Sequence, residues 1–227
     1  MNRRVLRSAD RVWTAADFRD LPRAAVSQAL SRLAKSGEIE RLRRGIYYRP
    51  RTTSFGATRP LAQAVIASAA AGAVFPAGTA AAHKLGLTTQ VVGRPVVATT
   101  AKHAPTSVGP AVIVARRPGS RRTLVVIENA LLEVLRRPRT ASDLSDAATI
   151  AQVQSLLRTQ CRFTKLAKAA MDDPPRVRAI LGALGESIAE DAASVQMLRN
   201  SLNPTSRYGF GSFRKLPNAV AWGAIDA

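Results

Sequence analysis

The sequence predicts an α+β protein: an N-terminal winged helix-turn-helix, then an α+β region that ends in a helical bundle. Three observations carry this. Residues 23–35 form an amphipathic pattern with defined ends, a β-rich run folds back on an arginine-glycine turn directly after it, and helical spacing recurs through residues 129–202.

Taken in order, residues 2–11 predict a short basic helix, and Thr14 is placed as the N-cap of a second one running through Phe18. Trp13, Phe18 and Leu21 are expected to close a small core over Val26, Leu30 and Leu33. Along residues 23–35, an advance of ~100° per residue sets Val26, Ala29, Leu30 and Leu33 on one face and Ala24, Gln28, Ser31, Arg32 and Lys35 on the opposite one. Pro22 suits the first turn, where an N–H has no intrahelical partner, and Ser36-Gly37 suits the exit, where glycine tolerates a left-handed backbone. Next, Ile39, Arg41 and Arg43 alternate with Glu40 and Leu42, Arg44-Gly45 supplies a turn, and Ile46-Tyr47-Tyr48 returns as a second strand.

Residues 51–60 have the Thr, Ser, Gly and Pro content of a linker. They divide a winged helix-turn-helix in residues 1–50 from an α+β domain in residues 61–227. In that domain, residues 61–71 and 77–85 predict helices broken at Phe75-Pro76, and residues 95–100, 111–115 and 123–127 predict strands. From Asn129 the spacing turns helical, through Leu131, Leu132 and Leu135, then Leu144, Ala148, Ala151 and Leu156, then residues 163–171. Pro174-Pro175 opens a helix lined by Val177, Ile180, Leu181 and Leu184, and residues 192–202 add another. Tyr208, Phe210, Phe213, Leu216 and Trp222 are expected to pack back on this bundle.

Charge bounds the partners. The chain of 227 residues carries a formal net charge of +19 with a pI near 11.6, and a line of phosphates is the commonest counterpart of such a surface. Acidic membranes or an acidic protein are the alternatives. Residues 1–60 hold 14 Lys and Arg against 5 Asp and Glu, residues 61–140 hold 10 against 2, and residues 141–227 hold 10 against 8. Arginine accounts for 28 of the 34 basic residues, and with abundant alanine this points to a GC-rich genome, which does not explain the scarcity of acids before residue 140. Cys161 is the single cysteine, so no intrachain disulfide forms and a reducing cytoplasm is the expected compartment. Residues 1–11 are charged and carry no apolar targeting core. Residues 61–82 are uncharged and long enough to span a bilayer, but they are mostly Ala and Gly, so no membrane is expected.

Reactive groups are sparse. His83 and His103 stand in no metal-binding spacing, and the acidic pairs Asp143/Asp146 and Asp172/Asp173 sit at helix starts or turns, where the helix dipole accounts for them. No phosphate-binding or nucleophile motif occurs, so neither catalytic residue, metal nor cofactor is assigned. The candidate binding residues are Arg23, Ser27, Gln28, Ser31, Arg32 and Lys35 on the helix, for base edges, and Arg41, Arg43 and Arg44 on the hairpin, for phosphates. The same pattern also suits an ordinary amphipathic helix with a solvated hairpin. Arg116-Arg117 and Arg121-Arg122 flank the turn Pro118-Gly119-Ser120, giving either an anion or partner patch or a solvated loop.

The stretch DFRDLPRAAVSQALSRLAKSGEIERLRRGIYYRP (residues 17–50) resembles the N-terminal domain of AbiEi-type antitoxins, where a winged helix ends in a similar basic-Gly-aromatic turn. The block PAGTAAAHKLGLTTQVVGRPVVATT (residues 76–100) resembles the segment that comes next in those proteins, and PPRVRAILGALGE from Pro174 and SLNPTSRYGFG from Ser201 look like an extension found in some relatives. The resemblance implies two roles. The N-terminal domain would repress its own operon by binding double-stranded DNA at inverted repeats, and the C-terminal part would counter an AbiEii-like nucleotidyltransferase toxin. Gln28, Ser31, Arg32, Lys35, Arg41, Arg43 and Arg44 match the family's DNA-binding region, whereas no residue for toxin neutralisation can be placed.

Overall fold

The computed structural model of the chain describes residues 1–60, 62–69, 72–90, 96–101, 113–138 and 142–225. Helix α1 (Asn2–Arg7) is shorter than its basic run and buries Val5. The chain then enters strand β1 (Arg11–Trp13), and the helix expected from Thr14 is a single 3₁₀ turn, Ala15–Asp17. Thr14 caps its start, its N–H and hydroxyl both donating to the Asp17 carboxylate at 2.8 and 2.9 Å, and the chain leaves the turn at Phe18.

Helix α2 (Arg23–Lys35) has the bounds its periodicity predicts and buries Val26, Leu30 and Leu33. Gly37, at φ +78°, turns the chain into β2 (Glu40–Arg43), and Gly45, at φ +77°, turns it again into β3 (Ile46–Arg49). The strands lie in the order β1-β3-β2, all antiparallel. Alternation along β3 decides the packing. Tyr47 joins Trp13, Phe18, Val26, Leu30, Leu33 and Ile39 under α2, while Ile46 and Tyr48 pack on the other side with Val65, Val97 and Ala101. Leu21, expected in the α2 core, is 39% exposed, because the turn its N–H closes on the Phe18 carbonyl (3.1 Å) aims it outward.

The stretch read as a linker contains a two-stranded hairpin, β4 (Thr52–Thr53) and β5 (Gly56–Ala57). Helix α3 (Ala62–Ala69) supplies Val65. Around Phe75-Pro76, where a break between helices was expected, the chain forms strand β6 (Val74–Ala77) before α4 (Thr79–Lys84). A proline is tolerated there because β6 is an edge strand, next to β7 (Val96–Thr99) and then β8 (Ile113–Arg116). Residues 95, 111 and 112 of the two expected strands lie outside the described residues. Residues 123–127 are not a third strand: a 3₁₀ turn (Gly119–Thr123) leads directly into α5 (Val126–Arg136).

The largest core lies among α5, α6 (Asp146–Gln160), α7 (Phe163–Ala170), α8 (Pro175–Ser187) and α9 (Ala192–Asn200). Of the residues whose spacing set the expected face, Leu144 precedes α6 and is 41% exposed, and Ala148 and Ala151 are exposed as well; the helix instead buries Thr149, Ile150, Val153 and Leu157 beside Leu156. Phe210, Phe213, Leu216 and Trp222 are buried against the bundle, and Tyr208 is half-buried in β9 (Tyr208–Gly209), which pairs with β10 (Ala224–Ile225). A Cβ on Gly182 would lie 2.2 Å from the Trp222 ring, and one on Gly185 2.2 Å from the Phe163 ring, so α8 needs glycine at both positions. The whole is an α+β fold. Among the described residues, no helix is long and apolar enough to cross a membrane.

Candidate nucleic-acid interface

Burial of Val26, Leu30 and Leu33 leaves the opposite face of α2 to solvent, and Arg23, Ala24, Ser27, Gln28, Arg32 and Lys35 are all exposed there. Ser31 is half-buried, its hydroxyl 3.3 Å from the Tyr47 hydroxyl, so it ties the helix to β3. Arg41, Arg43 and Arg44 are exposed on the β2–β3 hairpin, and a register shift between Arg41 and Arg43 changes the direction in which the second one leaves the strand. The structure thus brings the helix and hairpin candidates onto one local unit.

Electrostatics set this surface apart. Four of the five acids in residues 1–60 are engaged with other arginines, Asp10 with Arg51 (3.1 Å), Asp17 with Arg11 (3.4 Å), Asp20 with Arg4 (3.4 Å) and Glu38 with Arg49 (3.8 Å); the fifth, Glu40, is exposed at the start of β2. The side chains of Arg23, Arg32, Lys35, Arg41, Arg43 and Arg44 have no hydrogen-bond or ion-pair partner among the described residues. A helix of 13 residues is about 20 Å long and about 10–12 Å across, dimensions that a major groove about 12 Å wide admits. Gln and Arg can make bidentate contacts to base edges, and guanidinium groups beside them can meet phosphate oxygens.

The second candidate patch does not form as expected. Arg121 is fully buried, its Nη2 2.8 and 2.9 Å from the two Asp173 oxygens and its Nη1 3.2 Å from Glu133. Arg117 grips Glu133 through Nε and Nη2 at 2.7 and 2.8 Å, which raises its pKa above the usual arginine value. Arg136 adds an ion pair to Asp173. Arg122 is exposed, with its Nε donating to the Thr100 hydroxyl at 3.2 Å, and the Arg116 side chain lies outside the described residues. The counterions that draw Arg117 and Arg121 inward stand 16 and 52 residues away, beyond any local pattern.

Sequence reasoning also missed three anchors. The Tyr48 hydroxyl donates to Asp10 (2.8 Å), and Thr58 bonds to both of these groups. These contacts, with that of Tyr47, hold β3 against its surroundings; strict alternation in Ile46-Tyr47-Tyr48 is the signal that would have separated their faces. Elsewhere, His83 is exposed at the end of α4, and His103 lies outside the described residues. Burial pushes the Cys161 thiol up to about 12. No three His, Cys, Asp or Glu side chains converge as metal ligands among the described residues. A shallow groove of about 600 Å³ beside α9 is lined by Met171, Ala193, Gln196, Met197, Asn200 and Ser201, none of them ionisable.

The fold and this face define an α+β protein with an unneutralised cationic helix and hairpin. Residues 7–164 match a family of unknown function (DUF6088), and the chain belongs to that family. No curated protein matches it. Among solved structures, the RV2827C protein from Mycobacterium tuberculosis is similar in fold, with a TM-score of 0.53 at 18% identity over 90% of this chain and 81% of that one.

Proposed function

We propose that this protein is a DNA-binding autorepressor that also serves as the antitoxin of an AbiE-like toxin-antitoxin pair. In this reading residues 1–50 act as a winged helix-turn-helix, with α2 as the recognition helix and the β2–β3 hairpin as the wing. Residues 61–227 counter a nucleotidyltransferase-type toxin, the protein works in the cytoplasm, and it catalyses no reaction of its own. The single observation that carries the DNA role is the set of six cations on α2 and the hairpin whose side chains have no partner among the described residues, set against one exposed acid there, Glu40, the other four acids of residues 1–60 being paired with other arginines. The antitoxin role rests on the resemblance of residues 17–50 and 76–100 to AbiEi-type proteins.

The test is binding to a duplex covering the DNA upstream of its own reading frame, measured across a salt series. Replacing Arg43 and Arg44 with Ala should weaken binding to every sequence and reduce the slope of log K against log salt by ~0.9 per lost contact. An unchanged slope removes the wing assignment. Gln28→Ala or Arg32→Ala should cost about 1–3 kcal/mol on the operator and little on random DNA. Equal losses on both would reassign these residues to the backbone. Co-expression with the product of the adjacent reading frame tests the second role, since an antitoxin restores growth that the neighbour alone arrests. A neighbour without toxicity leaves a stand-alone repressor.

A further inference from the structure

We propose that Phe55 is an apolar wedge that enters the base stack of the duplex beside the α2 contact. The inference rests on the DNA-binding reading above and adds to it a second, sequence-distant contact that bends the DNA.

Phe55 is 99% exposed, whereas Trp13, Phe18, Tyr47, Tyr48, Phe75 and Trp222 are all 4% exposed or less. It stands at the tip of a hairpin that is built to hold it out. Pairing of Thr52 with Ala57 and Thr53 with Gly56 leaves Ser54-Phe55 as a two-residue loop, and Gly56 at φ +106° takes a backbone that side chains rarely adopt. The Thr53 hydroxyl donates to the Gly56 carbonyl at 2.8 Å and accepts the Phe55 N–H at 3.3 Å. At the base, Arg51 N–H donates to the Thr58 hydroxyl (2.8 Å) and Thr58 N–H to the Arg51 carbonyl (2.9 Å). That hydroxyl also meets Tyr48, which is buried in the sheet.

The surroundings select a nucleic acid over an apolar protein pocket. Apart from Phe55, the hairpin carries only Thr, Ser, Gly and Ala, so no apolar rim would surround the ring in a protein contact. A tip this slim suits a minor groove about 6 Å wide, where proteins insert single apolar side chains between base steps and kink the duplex by roughly 20–90°. Arg51 and Arg59 bracket the hairpin, both exposed, Arg51 paired with Asp10 at 3.1 Å, and no Asp or Glu occurs in the sequence from 41 to 127. The β2–β3 turn and the β4–β5 hairpin leave opposite ends of β3, whose four residues span only about 13 Å.

The probe is a duplex of about 40 base pairs from the DNA upstream of the reading frame, with a fluorophore on each end to report bending. Phe55→Ala should bind about tenfold more weakly, with the salt slope unchanged because no phosphate contact is lost, and the bend should disappear. In Phe55→Trp, the introduced indole should be open to iodide in the free protein and shielded on DNA, against a silent background from Trp13 and Trp222, which are 1% and 3% exposed. If the wild type binds, depends on Arg43 and Arg44, and bends the duplex no more than Phe55→Ala does, the wedge is overturned and the DNA reading stands. An indole that iodide still reaches in the complex also overturns it. A wild type that binds no duplex sinks both.

Discussion

Removing the Asp173 carboxylate by Asp173→Asn should destabilise the helical region by about 3–5 kcal/mol, and the geometry says why. Asp173 and Glu133 are the two carboxylates among three guanidinium groups, those of Arg117, Arg121 and Arg136. Arg117 and Arg136 keep 18% and 22% of their side-chain surface in water, but Arg121 keeps none, so the loss falls hardest on it, left to share Glu133 with Arg117. A Coulomb term of about 4 kcal/mol, for charge centres ~4 Å apart at an effective dielectric near 20, is of the same size. Arg121→Met should cost less, about 1–3 kcal/mol, because Asp173 then keeps Arg136 and Glu133 keeps Arg117. The double variant should be clearly less destabilised than the sum, since Met at that position no longer needs the carboxylate. Urea unfolding followed by Trp222 in a Trp13→Phe background reads this region, because Trp222 packs on α8 and its indole N–H donates to Glu186 at 2.8 Å. A cost below about 1 kcal/mol for Asp173→Asn, or strict additivity of the two changes, would refute the reasoning.

Gly182→Ala should cost more than about 3 kcal/mol in the same unfolding assay, because its Cβ would meet a buried Trp222 ring at 2.2 Å and the ring has nowhere to go. Glu128 is buried, which by itself would raise its pKa, yet hydrogen bonds from the Arg162 side chain, the Arg162 N–H and the Val125 N–H hold it below the usual value. Its stabilisation is therefore present above the unfolded value near ~4.3 and is lost as pH falls through the lower folded value. Urea midpoints at about pH 7 and about pH 3 should converge in Glu128→Gln relative to the wild type, and parallel losses would contradict this. Cys161, with its thiol pushed up to about 12, should react with a disulfide reagent at pH 8 only after urea unfolds the chain.

The range of each interaction decides whether it is legible in the residues alone. Helix α2 and its hairpin were legible because they depend on neighbours: the spacing of Val26, Leu30 and Leu33, Pro22 at one end, and glycines at the two turns. Strand β6 was not, since Pro76 inside an alanine-rich stretch reads as a break, and only its place at the sheet edge makes it tolerable. The β-branched run at residues 123–127 is overridden by Glu128 and Asn129. Glu128 accepts the Val125 N–H, and the Asn129 amide donates to the carbonyls of Arg121 and Leu124, both at 3.2 Å, which caps α5 instead of extending a strand. Arg117 and Arg121 looked like surface charge because their carboxylates arrive from outside the local segment, Glu133 from α5 and Asp173 from the turn between α7 and α8.

The same buried pairs bear on the charge of the whole molecule. Three arginines against Glu133 and Asp173 leave the internal cluster at +1, and Glu128 with Arg162 is neutral, so the net +19 resides almost wholly outside these pairs. A field of that size attracts any polyanion and favours fast, sequence-independent association. Phosphate contacts carry no sequence information, so discrimination in the proposed repressor has to come from the few side chains able to reach base edges, Gln28 and Arg32 above all, and from the energy of bending. The balance between the two terms depends on salt, because counterion release weakens the nonspecific term as ionic strength rises while base contacts persist. At low salt every sequence should bind and the Gln28→Ala defect should be hidden; at physiological salt the operator should stand out and the defect with it.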